Sequence, residues 1–134
     1  MSKKEHENRL ESTAKNELQK TQKLAESDFV KGQLREMMNN KLRKDIVIRD
    51  DLLKAGAEPS QKLTDIIEGR QKALDELVGI IDLHQTHLLS TYDIAKAAIA
   101  DLRKYNPKKS NELENSLALK VKQSGSNTIN KKRL

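Results

Sequence analysis

The sequence contains no cysteine and no tryptophan, and its aromatic residues are limited to Phe29, Tyr92 and Tyr105. Without cysteine there can be no disulfide and no thiolate metal site. Without large rings, a core must be assembled from Leu, Ile, Val, Met and Ala, since aromatics normally supply much of the buried area. Glycines stand at 32, 56, 69, 79 and 125, in no pattern that forms a phosphate-binding loop. No run approaches the roughly 18 apolar residues that cross a bilayer. The opening MSKKEHENRLES is charged throughout and has no apolar stretch of the signal-peptide kind. An intracellular, cytoplasmic protein with no membrane partner is therefore expected.

Side chains that could carry chemistry do not assemble into a recognisable set. His84 and His87 are three residues apart, a spacing tolerable for two metal ligands. A helical metal site needs carboxylates or histidines from a neighbouring helix as well, and His84 falls at an inward coiled-coil position. A packed or partly exposed histidine is the favoured reading. Asp50-Asp51 and Asp75-Glu76 are adjacent carboxylates. Neighbours on a helix point about 100° apart, whereas acid–base work needs groups that converge on a pocket. Ser90 and Thr91 lack the base and orienting group that activate a nucleophile. These absences predict a non-enzyme that uses no metal and no cofactor.

What the chain has in abundance is charge, 34% of all residues. Combined with the Ala, Leu, Glu, Lys and Arg around it, this is the composition of long helices or coiled coils. The net charge of +6 is uneven. Residues 1–54 carry 13 Lys/Arg against 10 Asp/Glu, residues 55–103 carry 5 against 8, and residues 104–134 carry 8 against 2. A basic tail on a mildly acidic middle suits an anionic partner, most commonly nucleic acid. Few aromatics are available for base stacking, so contacts to the phosphates of double-stranded DNA are the natural mode.

Periodicity organises the chain into three segments. Residues 1–26 read as a polar N-terminal helical arm with a thin stripe of Leu10, Ala14, Leu18, Thr21 and Ala25. Ser27-Asp28 looks like a helix start, with Ser27 the N-cap. Residues 27–104 form a central helical hairpin and oligomerisation core. Its first helix carries Val30, Leu34, Met37, Met38, Leu42, Ile46, Leu52 and Leu53 at spacings near three and four. Gly56 can take the left-handed conformation that ends a helix, and Pro59 cannot lie in a helix interior. So short a connection makes the helices antiparallel neighbours. In the returning helix, from about Ser60 to Lys104, Ile67, Leu74, Ile81, Leu88, Ala95 and Leu102 stand seven residues apart. That repeat predicts a coiled-coil-like face. Gly69 and Gly79 mark either close contacts or bends. Residues 105–134 give a short helix, about 111–122, and a basic tail expected to be disordered from Gln123 onward. The fold class is all-α: a long antiparallel, coiled-coil-like hairpin with a polar N-terminal helix, a short C-terminal helix and a basic tail, expected to oligomerise.

The stretch from Asp28-Phe29 through Ala57-Glu58-Pro59-Ser60 to Ile80-Ile81-Asp82-Leu83-His84 resembles the core of the small terminase subunits of T4-like tailed phages. Those proteins combine an acidic-aromatic start, a long helix, a short turn with an acidic residue, Ser and Pro, and a returning helix ending in an Ile-x-x-Leu-His-like pattern. The resemblance spans somewhat under half of the chain. Glu-Pro-Ser stands here where the family tends to place Ser before Pro, and the C-terminal region does not match. The resemblance implies a ring assembled through central hairpins that helps select viral DNA for packaging in the host cytoplasm. It also implies a large terminase subunit as partner, which carries the ATPase and nuclease.

The assembly residues expected on this reading are Leu34, Met38, Leu42, Ile46, Ile67, Leu74, Leu77, Ile81 and Leu88. Lys108, Lys109, Lys131, Lys132 and Arg133 are the first choice for DNA, followed by Lys41, Arg43 and Lys44. The alternative for the first set is a core within one chain, and for the second plain solvation. A structural scaffold or helical adaptor, or a small coiled-coil nucleic-acid-binding regulator, would share these features.

Overall fold

The computed structural model describes residues 2–129, and they form an all-helical fold of three helices in which the two long ones pack as a hairpin. Helix α1 spans Lys3–Lys54, α2 spans Gln61–Leu102 and α3 spans Pro107–Ser124.

The turn between the long helices forms as its residues predict. Gly56 adopts a left-handed φ of 79°. The Ala57 N–H donates to the Leu52 carbonyl at 2.9 Å and the Gly56 N–H to that of Leu53 at 3.0 Å. This bonding pair closes the last turn of α1 and satisfies carbonyls that the helix end leaves open. Ser60 then caps α2, its hydroxyl accepting from the Leu63 N–H at 3.1 Å.

The expected helix start at Ser27 does not occur: α1 runs through it unbroken. No proline interrupts this stretch, and the inward stripe continues in phase from Ala14, Leu18, Thr21 and Ala25 to Asp28, all buried. A Ser-Asp pair starts a helix only where the preceding chain leaves helical geometry, and tertiary packing holds it here. Helix α3 likewise begins earlier than about 111. Pro107 occupies its first turn, and the Asn106 side chain accepts from the Lys109 N–H at 3.1 Å.

The chain divides into two compact units that cut across the three segments read from sequence. One comprises residues up to Phe29 together with those from Leu83 onward; the other is Val30–Asp82. In the first, Ala14, Leu18 and Ala25 of α1 pack with Leu88, Tyr92, Ala95, Ala98 and Ile99 of α2 and with Leu117 and Val121 of α3. Alanines on α1 present little side chain, which lets a helix approach its neighbours closely. Ser110 Oγ donates to the Ile99 carbonyl at 2.8 Å and Thr21 Oγ1 to the Glu17 carbonyl at 2.7 Å, so these buried hydroxyls are satisfied. The thin N-terminal stripe is therefore docked within the single chain.

The second unit is a two-helix hairpin with a small core of Leu42, Ile67 and Leu74, flanked by Met38, Ile46, Leu63 and Val78. Arg70 Nε lies 2.9 Å from Asp45 Oδ2, an ion pair across the hairpin. Neither Gly69 nor Gly79 marks a close contact within the chain, for a Cβ at either would meet nothing within 4 Å.

Candidate assembly and nucleic-acid surfaces

The inward stripe of the hairpin is used within one chain. Leu42, Ile67, Leu74, Ile81 and Leu88 are buried, and Met38, Ile46 and Leu77 are half-buried. Of the expected assembly residues, Leu34 is the exposed one.

A second stripe lies one residue earlier on each helix of the hairpin unit. On α1 it comprises Val30, Leu34, Met37, Lys41, Lys44 and Ile48; on α2, Ile66, Gly69, Ala73, Glu76 and Ile80. Every one of these residues is exposed, including Val30 at 64%, Met37 at 57% and Ile80 at 54%. In an antiparallel pair, reversing a helix also reverses the sense in which its residues rotate about the axis. Positions one residue before the inward ones therefore fall on the same side of both helices. That side of the hairpin is apolar, with Lys41, Lys44 and Glu76 set among the aliphatic residues. Positions one residue after the inward ones include Arg43, Asp50, Glu68, Gln71 and Asp75, so the opposite side is mainly polar, with Val47 and Leu53 as its exposed aliphatic residues. The hairpin has one predominantly apolar side. Val30, Met37, Ile48, Ile66 and Ile80 were not among the expected assembly residues. The signal that finds them is a second run of spacings of three and four, offset by one from the heptad.

The basic residues have different fates. Lys41 and Lys44 share the apolar side, while Arg43 belongs to the other. Lys108 is exposed in the first turn of α3. Lys109 is half-buried and pairs with Glu11 at 3.1 Å. Glu11 also pairs with Lys15 at 2.9 Å, and the hydrogen bonds from Lys15 and then Lys109 hold its carboxyl below the ordinary range. Part of the Lys109 charge is thus already neutralised by a partner in its own chain. Lys131, Lys132 and Arg133 lie outside the described residues.

His84 occupies the inward position expected of it. It is half-buried, and its Nε2–H donates to the Leu24 carbonyl at 2.9 Å, which fixes the proton on that nitrogen. Beside it is a constellation not foreseen from sequence. Asp28, buried on α1, accepts from Ser126 Oγ at 2.6 Å, Thr128 Oγ1 at 2.7 Å and Gln85 Nε2 at 3.2 Å. Burial alone would raise its pKa, but the three hydrogen bonds and the nearby His84 together lower it from the ordinary value. The segment expected to be disordered from Gln123 is ordered as far as it is described, with Ser124, Ser126 and Ile129 buried. Nothing local in the sequence links residue 28 to residues 126 and 128, which lie 98 and 100 positions away.

On the outward side of α2, Thr86, Leu89, Ser90, Asp93, Ile94 and Ala97 line a shallow, open depression of about 490 Å³. Asp93 is the one acid in its lining, which offers the hydroxyls of Thr86 and Ser90 but no histidine or lysine to act as their base. Among the described residues no group of three or more His, Asp or Glu side chains is brought together in a way that could hold a metal ion. No helix among them is long and apolar enough to cross a membrane. Compared with known proteins, the chain matches no family model, no curated protein and no solved structure.

Proposed function

We propose that this chain is a ring-forming small terminase subunit of the kind found in T4-like tailed phages. In this reading it is a non-enzymatic, oligomeric protein of the host-cell cytoplasm that binds viral DNA through phosphate contacts and regulates the large terminase motor. The observation that carries the reading is the one-sided hairpin: an exposed apolar side built from Val30, Leu34, Met37, Ile48, Ile66 and Ile80. A row of exposed aliphatic residues, interrupted here by Lys41, Lys44 and Glu76, favours a protein interface. The hairpin turn Glu58-Pro59-Ser60 and the Ile80-to-His84 pattern supply the likeness to the family.

Mass measurement in solution tests it directly. A defined ring of many subunits is the expected result, and a monomer at all concentrations would overturn it. DNA affinity should fall steeply between low and moderate salt, because each phosphate contact releases a counterion.

A second reading has its own support. Lys109 is tied to Glu11, and Lys41 and Lys44 sit among apolar residues. Cations placed this way suit an acidic protein surface, as in a structural scaffold or helical adaptor. A dimer or tetramer without salt-sensitive DNA binding would select that alternative.

A further inference from the structure

The segment after α3 is held against α1 by converging side-chain hydrogen bonds. Helix α3 ends at Gly125, whose φ of 78° turns the backbone out of the helix. A Cβ at that glycine would come within 2.9 Å of the Phe29 ring, so the strap that begins there lies directly on α1. Its two hydroxyls, Ser126 Oγ and Thr128 Oγ1, both donate to the same oxygen, Asp28 Oδ2, at 2.6 and 2.7 Å. Local bonds from the Ser126 N–H to Ser124 Oγ and from the Thr128 N–H to Ser126 Oγ set the turn. The Ile129 side chain, 1% exposed, closes the end.

We propose that Asp28 is a charge-dependent latch for a detachable strap, Gly125–Ile129, which opens as a piece while the three helices of its unit stay folded. Three features support this. The strap has its own glycine hinge. Its polar anchorage converges on one carboxylate oxygen, and hydrogen bonds to an ionised acceptor are about twice as strong as neutral ones. Short segments with few buried apolar groups open locally, at lower free energy than the core; here Ile129 is the strap's one aliphatic anchor.

The groups facing Asp28 fix how the latch answers to pH. Helix α2 contributes His84 and the neutral Gln85, and the strap contributes hydroxyls and no charge. Gln85 bonds the other oxygen, Asp28 Oδ1, and His84 Nε2–H is committed to the Leu24 carbonyl, so neither competes with the strap hydroxyls for Oδ2. Release therefore requires protonation of Asp28 itself.

Hydrogen exchange of the full chain, read at amides 126–129 and separately over the helices, tests the latch. Asp28→Asn keeps the shape and removes the charge. It should speed strap exchange about 10-fold or more, the loss expected for one charge-assisted bond, and leave α1, α2 and α3 protected. The double variant Ser126→Ala with Thr128→Val should do the same from the strap side without touching α1. After correction for intrinsic exchange, the wild-type strap should loosen as pH falls below the ordinary carboxylate range, while the Asp28→Asn strap should not respond. Unchanged strap exchange in both variants would overturn the proposal. So would simultaneous loss of protection in strap and helices in the double variant, because Asp28 would then be a core residue and no latch.

Discussion

Helices α1 and α2 pass through both compact units, yet their buried faces fare differently in each. On α2 the same seven-residue repeat leaves Ile67, Leu74 and Ile81 at 8%, 7% and 2% exposure in the hairpin unit, while Leu88, Ala95 and Leu102 in the three-helix unit are at 0%. Two helices can cover only the strip of each that faces the other. A third helix, α3, covers more of the circumference, and its Leu117 and Val121 complete a closed core. The hairpin unit keeps an apolar side open; the three-helix unit seats α3 and the strap. The lesson is that a heptad stripe specifies a partner helix, while the number of helices around it decides whether the surface is closed.

Removing α3 should erase the difference. Deleting residues 107–134 withdraws Leu113, Leu117, Val121 and Ile129 from the larger core. At about 1.5–3 kcal/mol per buried aliphatic side chain, the loss should exceed about 5 kcal/mol. Thermal melting followed by circular dichroism would show it; a truncated chain as stable as the full one would break the comparison. Next comes a matched pair of cavities. Leu88→Ala should cost about 4 kcal/mol and Leu74→Ala about 2 kcal/mol in urea unfolding, because an open two-helix core relaxes around a deletion more readily. The reverse order would refute the ranking.

A smaller effect belongs to Asp28. Asp28→Asn should lower stability at neutral pH by about 1.5 kcal/mol. Because its native pKa is lowered, its contribution is fully present above the ordinary carboxylate value of about 4. It declines as pH falls through the lower native value, so wild type and variant should converge in acid. Arg70→Ala, which breaks the exposed half of the Asp45 pair, should cost no more than about 1 kcal/mol. Smallest of all, Ile80→Glu should change unfolding of the isolated chain by less than about 0.5 kcal/mol. If the apolar side is an interface, sedimentation of that variant should nevertheless show loss of assembly; normal assembly would remove Ile80 from it.

Much of the hairpin was legible from local features. Gly56 and Pro59 mark the turn because backbone conformation is a property of the residues themselves, and the repeat from Ile67 to Leu102 marks the buried line of α2 because helical periodicity is fixed. Less legible were the limits of α1 and α3. Ser27 offers a cap that a continuous helix does not use, and Pro107 opens α3 with Asn106 as its cap before any apolar periodicity begins. The candidate interface was half legible: the sequence points to a helical surface, but the most regular stripe is the one a hairpin buries for itself. The open side is the weaker stripe, one residue away.

By itself, then, the sequence determined the all-helical character, the turn between the long helices and the inward line of α2, all consequences of near-neighbour conformation and a 3.6-residue period. Only the tertiary structure decided that α1 is continuous, that α3 closes one end of the core, and that Asp28 receives Ser126 and Thr128. The reason is physical. A helix's own sequence fixes which side of it is apolar, but what covers that side, or which hydroxyls reach a buried carboxylate, depends on residues about 100 positions away.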